Sequence, residues 1–156
     1  MTPLMRANGF LALLAVLLGT LLWWDYHSQQ TGYPLLTPLD PATIQHITVE
    51  ANGQVIEQLQ KRGEEWFSRG RQAPVDDTEW IGHLLHIAQL PSLQHFDAPA
   101  DLQPFGLDKP RFRLIFDDTV IGWGTIEPLS QRRYVLVGDR VHLITDGYTH
   151  HLHAAQ

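Results

Sequence analysis

Residues 111–144, RFRLIFDDTVIGWGTIEPLSQRRYVLVGDRVHLI, decide the fold. Phe112, Leu114 and Phe116 alternate with Arg111 and Arg113, the period of two expected of a strand with one buried and one wet face. Asp117-Asp118 and Gly138-Asp139 supply turn residues, the second with glycine leading as in a tight hairpin. Four short strands are therefore expected in a meander, at 111–116, 120–126, 133–137 and 140–144.

Upstream, Ile47, Val49 and Ala51 alternate with Thr48 and Glu50. Asn52-Gly53 then offers the pair that a two-residue type I′ turn needs, and 55–59 resumes a strand-like run. Residues 65–68 form a third short strand, with Trp66 large enough to cover an edge of the core. Between the two groups of strands lies one clear helix at 77–90. Asp76 is placed to cap it, Glu79 to complete a capping box, and Pro91 blocks continuation. Trp80, Ile81, Leu84, Leu85, Ile87 and Ala88 share one face at the helical period, and Glu79, Gly82, His83 and His86 the other. The expected class is α+β, an antiparallel β-meander domain over 39–153 with one main packing helix.

Before that domain comes a run of a different kind. Residues 7–24 carry no charge, and Phe10 to Leu18 is almost solid Leu, Ala and Val. At helical rise these residues reach about 27 Å, close to a hydrocarbon core of about 30 Å. Trp23, Trp24 and Tyr26 follow where amphipathic rings favour the headgroup layer, and no small-x-small cleavage site appears there. The reading is an uncleaved transmembrane signal anchor. Arg6 precedes the run and no Lys or Arg follows until Lys61, so 1–6 are expected in the cytoplasm. Residues 25–38 then serve as a tether, with the domain in the periplasm of a Gram-negative bacterium and its anchor in the inner membrane.

The chain has 156 residues, 44% of them hydrophobic, a formal charge of −6 and no cysteine. It is too short for a multidomain enzyme, its acidic balance argues against a nucleic-acid partner, and thiol catalysis and thiolate zinc sites are excluded. G-x-S-x-G, H-E-x-x-H and a phosphate-binding glycine loop are absent. Arg111, Arg113, Arg132 and Arg133 can gather on the exposed sheet face, with Trp123 beside them or beneath them, as a binding surface for an acidic partner or an anionic headgroup. The Phe105-Gly106-Leu107-Asp108-x-Pro110 loop reads as structural, its Phe105 and Leu107 plugged into the core and Pro110 setting the start of the next strand. Gly122 and Gly124, flanking Trp123, read as room for a bulky neighbour. Asp76-Asp77 and Asp117-Asp118 read as helix-start and turn residues rather than a carboxylate pair for catalysis. An alternative is a metal-dependent enzyme in which Glu79, His83 and His86 converge from successive helical turns; His150, His151 and His153 form a second histidine cluster. A solvated helix rim and a polar tail explain both groups without metal.

Leu36-x-x-Leu39-Asp40-Pro41 with Ile44 and Ile47, Trp66 before Pro74 and an acid-started helix, Phe105-Gly106-Leu107-Asp108-x-Pro110, Ile121-Gly122 and Arg133-Tyr134-Val135 together resemble domain-of-unknown-function family 4340. The resemblance covers about 36–147 and is most specific at the Gly-Leu-Asp-x-Pro element. It implies a bacterial envelope protein with an N-terminal anchor, in some members encoded beside ABC-type transporter components. It brings no catalytic residue. The expectation is thus a non-enzymatic, membrane-anchored accessory or assembly module of an envelope complex, with a protein partner and no cofactor.

Overall fold

A computed structural model describes residues 16–20, 32–69, 74–149 and 152. The chain divides into two units, 1–33 and 34–156. In the first, Val16 to Thr20 is helical with exposed side chains, and the Thr20 hydroxyl donates to the Leu17 carbonyl at 2.9 Å. The remainder of the 7–24 run and residues 25–31 lie outside the described residues. Among the described residues no helix is long and apolar enough to cross a membrane.

The second unit is mainly β. Its eight strands are β1 (His46–Ala51), β2 (Gln54–Arg62), β3 (Glu65–Ser68), β4 (Gln94–Asp97), β5 (Phe112–Phe116), β6 (Thr119–Ile126), β7 (Arg132–Val137) and β8 (Arg140–Thr145). They form one sheet in the order β3-β2-β1-β5-β6-β7-β8-β4, antiparallel at every junction. The helix α1 is Thr78–Ile87.

Local chemistry explains most of these elements. Asn52 and Gly53 both take positive φ, 51° and 76°, the backbone that a type I′ turn requires and that these two residue types tolerate. The four meander strands fall within a residue of the expected positions at every boundary. Asp117 sits at φ 49° and its carboxylate accepts from the His46 N–H at 2.9 Å, so this turn also ties β5 to the start of β1. At α1 the N-cap is Asp77, not Asp76: the Asp77 carboxylate accepts from the Trp80 N–H at 2.8 Å. The helix is shorter at both ends than 77–90. The 88–92 segment leaves it to bond with 34–37 instead: Leu36 N–H donates to the Leu90 carbonyl at 2.7 Å, and the Thr37 hydroxyl to that of Ala88 at 2.8 Å. Leu36 and Thr37 are buried, so this end of the expected tether is packed into the folded unit.

One face of the sheet carries the main core. Ile47, Val49, Leu114, Phe116, Ile121, Trp123, Val135 and Ile144 form a single apolar cluster with Trp80, Ile81, Leu84 and Ile87 of α1. Each fully buried large side chain contributes about 1.5–3 kcal/mol. Trp66 closes the cluster at the β3 side, and Leu152 is buried within it.

Strand β4 has no counterpart among the strands expected from the sequence. Gln94–Asp97 is exposed along its length, and it is a strand because it pairs with β8, in register from Gln94 with Leu143 to Asp97 with Arg140.

Candidate functional site: the open face of the sheet

The face away from α1 is built by the alternate residues of the same strands. The register sets Val55, Glu50, Arg113, Gly122, Leu136, Val141 and Phe96 in one row across it. Thr48, Ile115 and Val120 make the next row. This face is divided between a covered region and two open ones.

The covered region is the work of the Phe105–Pro110 loop. A single 3-10 turn at Gln103–Phe105 ends on Gly106, whose φ of 65° lets its N–H return to the Gln103 carbonyl at 3.0 Å. Leu107 then enters over β6, 3% exposed. A Cβ on Gly124 would overlap the Phe105 carbonyl oxygen and stand 2.9 Å from Leu107 Cδ2, so the strand must be bare there for the loop to lie down. The Thr125 hydroxyl fixes the loop by donating to the Phe105 carbonyl at 3.1 Å. Phe105 packs edge-on against Tyr134 at 5.0 Å and tilted against Phe96 at 5.6 Å. Burial, and secondarily the charge of Glu127, pushes the Tyr134 phenol above its ordinary value and keeps it neutral. Phe105 and Leu107 do pack inward, with one correction: they plug a second, smaller apolar cluster on the open face, not the main core.

Beyond the loop lies an open groove of about 1210 Å³. Its apolar lining includes Pro110, Val120, Leu136 and Val137, and Lys109, Arg111 and Arg113 line it with positive charge; Asp108 and Asp118 are the acidic members. Arg113 is held by Glu50 at 3.2 Å while remaining 43% exposed. Arg111 lies with its guanidinium carbon 5.4 Å from the Phe112 ring centroid.

The five residues read as one binding surface are therefore separated. Arg111 and Arg113 line the groove, and Arg132 shares the open face through its place two residues before Tyr134 in β7. Trp123 is 2% exposed in the core beneath α1 and is not available to a partner. Arg133 takes the opposite pleat from Arg132: it donates to the Asp146 carboxylate at 2.6 and 3.1 Å and to the Gly124 carbonyl at 2.6 Å. That hydrogen bond holds the Asp146 carboxyl below the usual carboxylate range, and the Thr149 hydroxyl adds to it at 3.0 Å. Arg133 is a tie between β7 and the chain after β8. Groove residues that the sequence reading does not single out are Lys109, Val120 and Leu136; the available signal is apolar Val120 and Leu136 at positions whose alternation assigns them to the wet face.

Glu79, His83 and His86 are not brought together as a ligand set: among the described residues no group of three His, Asp or Glu side chains is placed to hold an ion. His86 instead lies against the Tyr148 ring at 5.9 Å. His150, His151 and His153 lie outside the described residues. Among the described residues a different histidine is the buried one. His142 of β8 is 8% exposed, its Nδ1 is 2.8 Å from the Ser92 hydroxyl, and its ring is 5.8 Å from that of His95 on β4. Burial, then the charges of His95 and Arg140, push its pKa below the ordinary value.

Compared with known proteins, the chain matches no family model, no curated protein and no solved structure.

Proposed function

We propose that this chain is a non-enzymatic, membrane-anchored accessory module whose outer domain docks a protein partner on the open face of its sheet. The observation that carries the reading is the groove: the helix covers one face only, and the other keeps an apolar floor with Lys109, Arg111 and Arg113 along it. Arginine beside apolar surface is the composition of protein-binding patches, and the small excess of Lys109, Arg111 and Arg113 over Asp108 and Asp118 favours an acidic partner surface. The groove is far larger than a bound ion requires, and on an acidic chain its charge is local.

The anchor part of the proposal rests on residues 7–24, uncharged and long enough to cross, and on the exposure of Val16, Leu17 and Leu18 in the helical piece. Arg6 on the short side supports, by the positive-inside bias, a domain outside the inner membrane, in the periplasm. In this reading the domain is α+β, with α1 as a full layer over the sheet. The resemblance to domain-of-unknown-function family 4340 supplies the suggestion that the complex includes ABC-type transporter components.

Gentle detergent extraction and pull-down of the full-length chain tests docking. A partner should co-purify with the native chain and be lost when Lys109→Gln and Arg111→Gln are combined. A chain that runs alone beside an intact complex in the same extract would overturn the reading. Alkaline phosphatase fused after Gln156 should be active; an inactive enzyme there, with a fluorescent cytoplasmic reporter at the same point, would reverse the topology.

A further inference from the structure

The second open region of this face, over β1, β2 and β3, has a different chemistry. The register places His46, Gln60 and Phe67 side by side, with Thr48 beside Gln58 in the next row. With Arg62 and Arg69 these residues line a groove of about 380 Å³ that shares no residue with the larger one.

The hydrogen bonds decide what this groove offers. Arg69 Nη1 donates to Gln58 Oε1 at 2.7 Å, and Arg62 Nη2 to Gln60 Oε1 at 3.5 Å. Each glutamine thus commits its acceptor oxygen to an arginine and leaves its NH₂ group as a donor. Thr48 adds a hydroxyl, and His46 is turned by Asp117, whose Oδ1 lies 3.3 Å from Nδ1. No carboxylate lines the groove, and among the described residues neither guanidinium is ion-paired. Glu65, opposite Arg62 in the β2–β3 register, stands outside it. Phe67 supplies an apolar wall, with the Arg62 guanidinium 5.0 Å from its centroid.

Two cations, two glutamine amide groups and a threonine hydroxyl, with no carboxylate among them, are complementary to a ligand rich in acceptor oxygens and bearing negative charge. The volume is that of a small-molecule site and exceeds what a bare oxyanion fills. The chain's net charge of −6 repels anions in general, so attraction here is confined to the groove. We infer that the β1–β2–β3 groove binds an acidic sugar, its carboxylate on Arg69 or Arg62, its hydroxyls on the glutamine amides and Thr48, and its apolar ring face on Phe67.

The test is titration of the full-length chain in detergent with sodium glucuronate, glucose and inorganic phosphate, followed by calorimetry. Glucuronate should bind saturably, more weakly as salt is raised, and at least tenfold more tightly than either glucose or phosphate. Arg69→Gln should weaken it about tenfold, the loss of one charge-assisted contact. Arg62→Gln with Arg69→Gln should abolish it, with the thermal midpoint held as the check on folding. Glucose binding as well as glucuronate would remove the charge recognition, and phosphate binding as well would remove the sugar. Undiminished glucuronate binding by a folded double variant, or no binding by the native chain, would overturn the inference. Because the readout is a small molecule at another groove, its failure leaves the protein-docking proposal to its own pull-down.

Discussion

The two faces of this sheet come from the same strands and do opposite things. On β5, Phe112, Leu114 and Phe116 are buried beneath α1, while Arg113 and Ile115 between them stay half-buried on the open side. On β6 the contrast reverses in size: Trp123 fills the covered face, and Gly122 and Gly124 leave the open face bare. A large ring on one side and no side chain on the other lets the strand bind α1 and the Phe105–Pro110 loop at once. Alternation is therefore not a division between core and water here. It divides a continuous core from a surface that is part loop-covered and part open groove.

The most severe way to break the covered face is to empty it. Trp123→Ala should cost about 3–5 kcal/mol, read as a fall in the urea midpoint with little change in slope, because the buried ring leaves a cavity that its neighbours only partly close. A loss under about 1 kcal/mol would mean that the ring is not a core residue.

The glycines sharpen the comparison on the open side. Gly124→Ala should destabilise by about 1–3 kcal/mol, since its Cβ meets the backbone oxygen of Phe105 and the body of Leu107, neither of which can move without lifting the loop. Gly122→Ala should stay within about 0.5 kcal/mol of the native chain, because its Cβ would rest 3.5 Å from Pro110 at ordinary contact. Equal losses at both positions would contradict the distinction between covered and open regions. Urea unfolding of the two variants side by side decides it.

How much of this was legible in the sequence depends on how local each cause is. The Asn52-Gly53 turn and the β5 alternation were readable because the conformation is set by the residues themselves. The helix was readable from its apolar face, but Asp76 and Asp77 are adjacent acids, and only the path of the backbone selects Asp77 as the cap. Strand β4 was not readable, since Gln94–Asp97 has little strand character and becomes one by pairing with β8. Arg132 and Arg133 are neighbours in sequence, yet the pleat sends them to opposite faces. The groove is not legible for a related reason: Lys109, Val120 and Leu136 come together only when β5, β6 and β7 are laid side by side.

The β4 edge can be probed through pH, with a smaller effect. His142 meets Ser92 and His95 from the segment that holds β4, has Arg140 on its own strand and stands in register with Val135 on β7. Its folded pKa lies below the ordinary 6.5, chiefly through burial. The unfolded chain therefore binds the proton more readily. The stabilisation is full above pH about 6.5 and is lost as pH falls through the folded value. The thermal midpoint should drop over that range, and His142→Gln should flatten the drop. An unchanged slope in the variant would assign the acid sensitivity to other groups.

The smallest effect on stability is expected where the proposed function is concentrated. Arg111→Gln combined with Arg113→Gln removes two charges from the groove, and the midpoint should shift by no more than about 0.5–1 kcal/mol. Arg113 loses its contact with Glu50, but that pair is partly exposed and screened by water, and Gln avoids the like-charge repulsion that Glu would set against Glu50. Arg111 loses a position over Phe112 that solvent readily replaces. Partner capture in the pull-down should fall sharply in the same variant, because arginines at the centre of an interface act through contacts made only in the complex. A variant that is markedly less stable makes these arginines part of the scaffold. One that is as stable as the native chain and still captures the partner removes the groove as the docking site, and leaves the exposed helix rim around Gly82 or the 7–24 run as the contact.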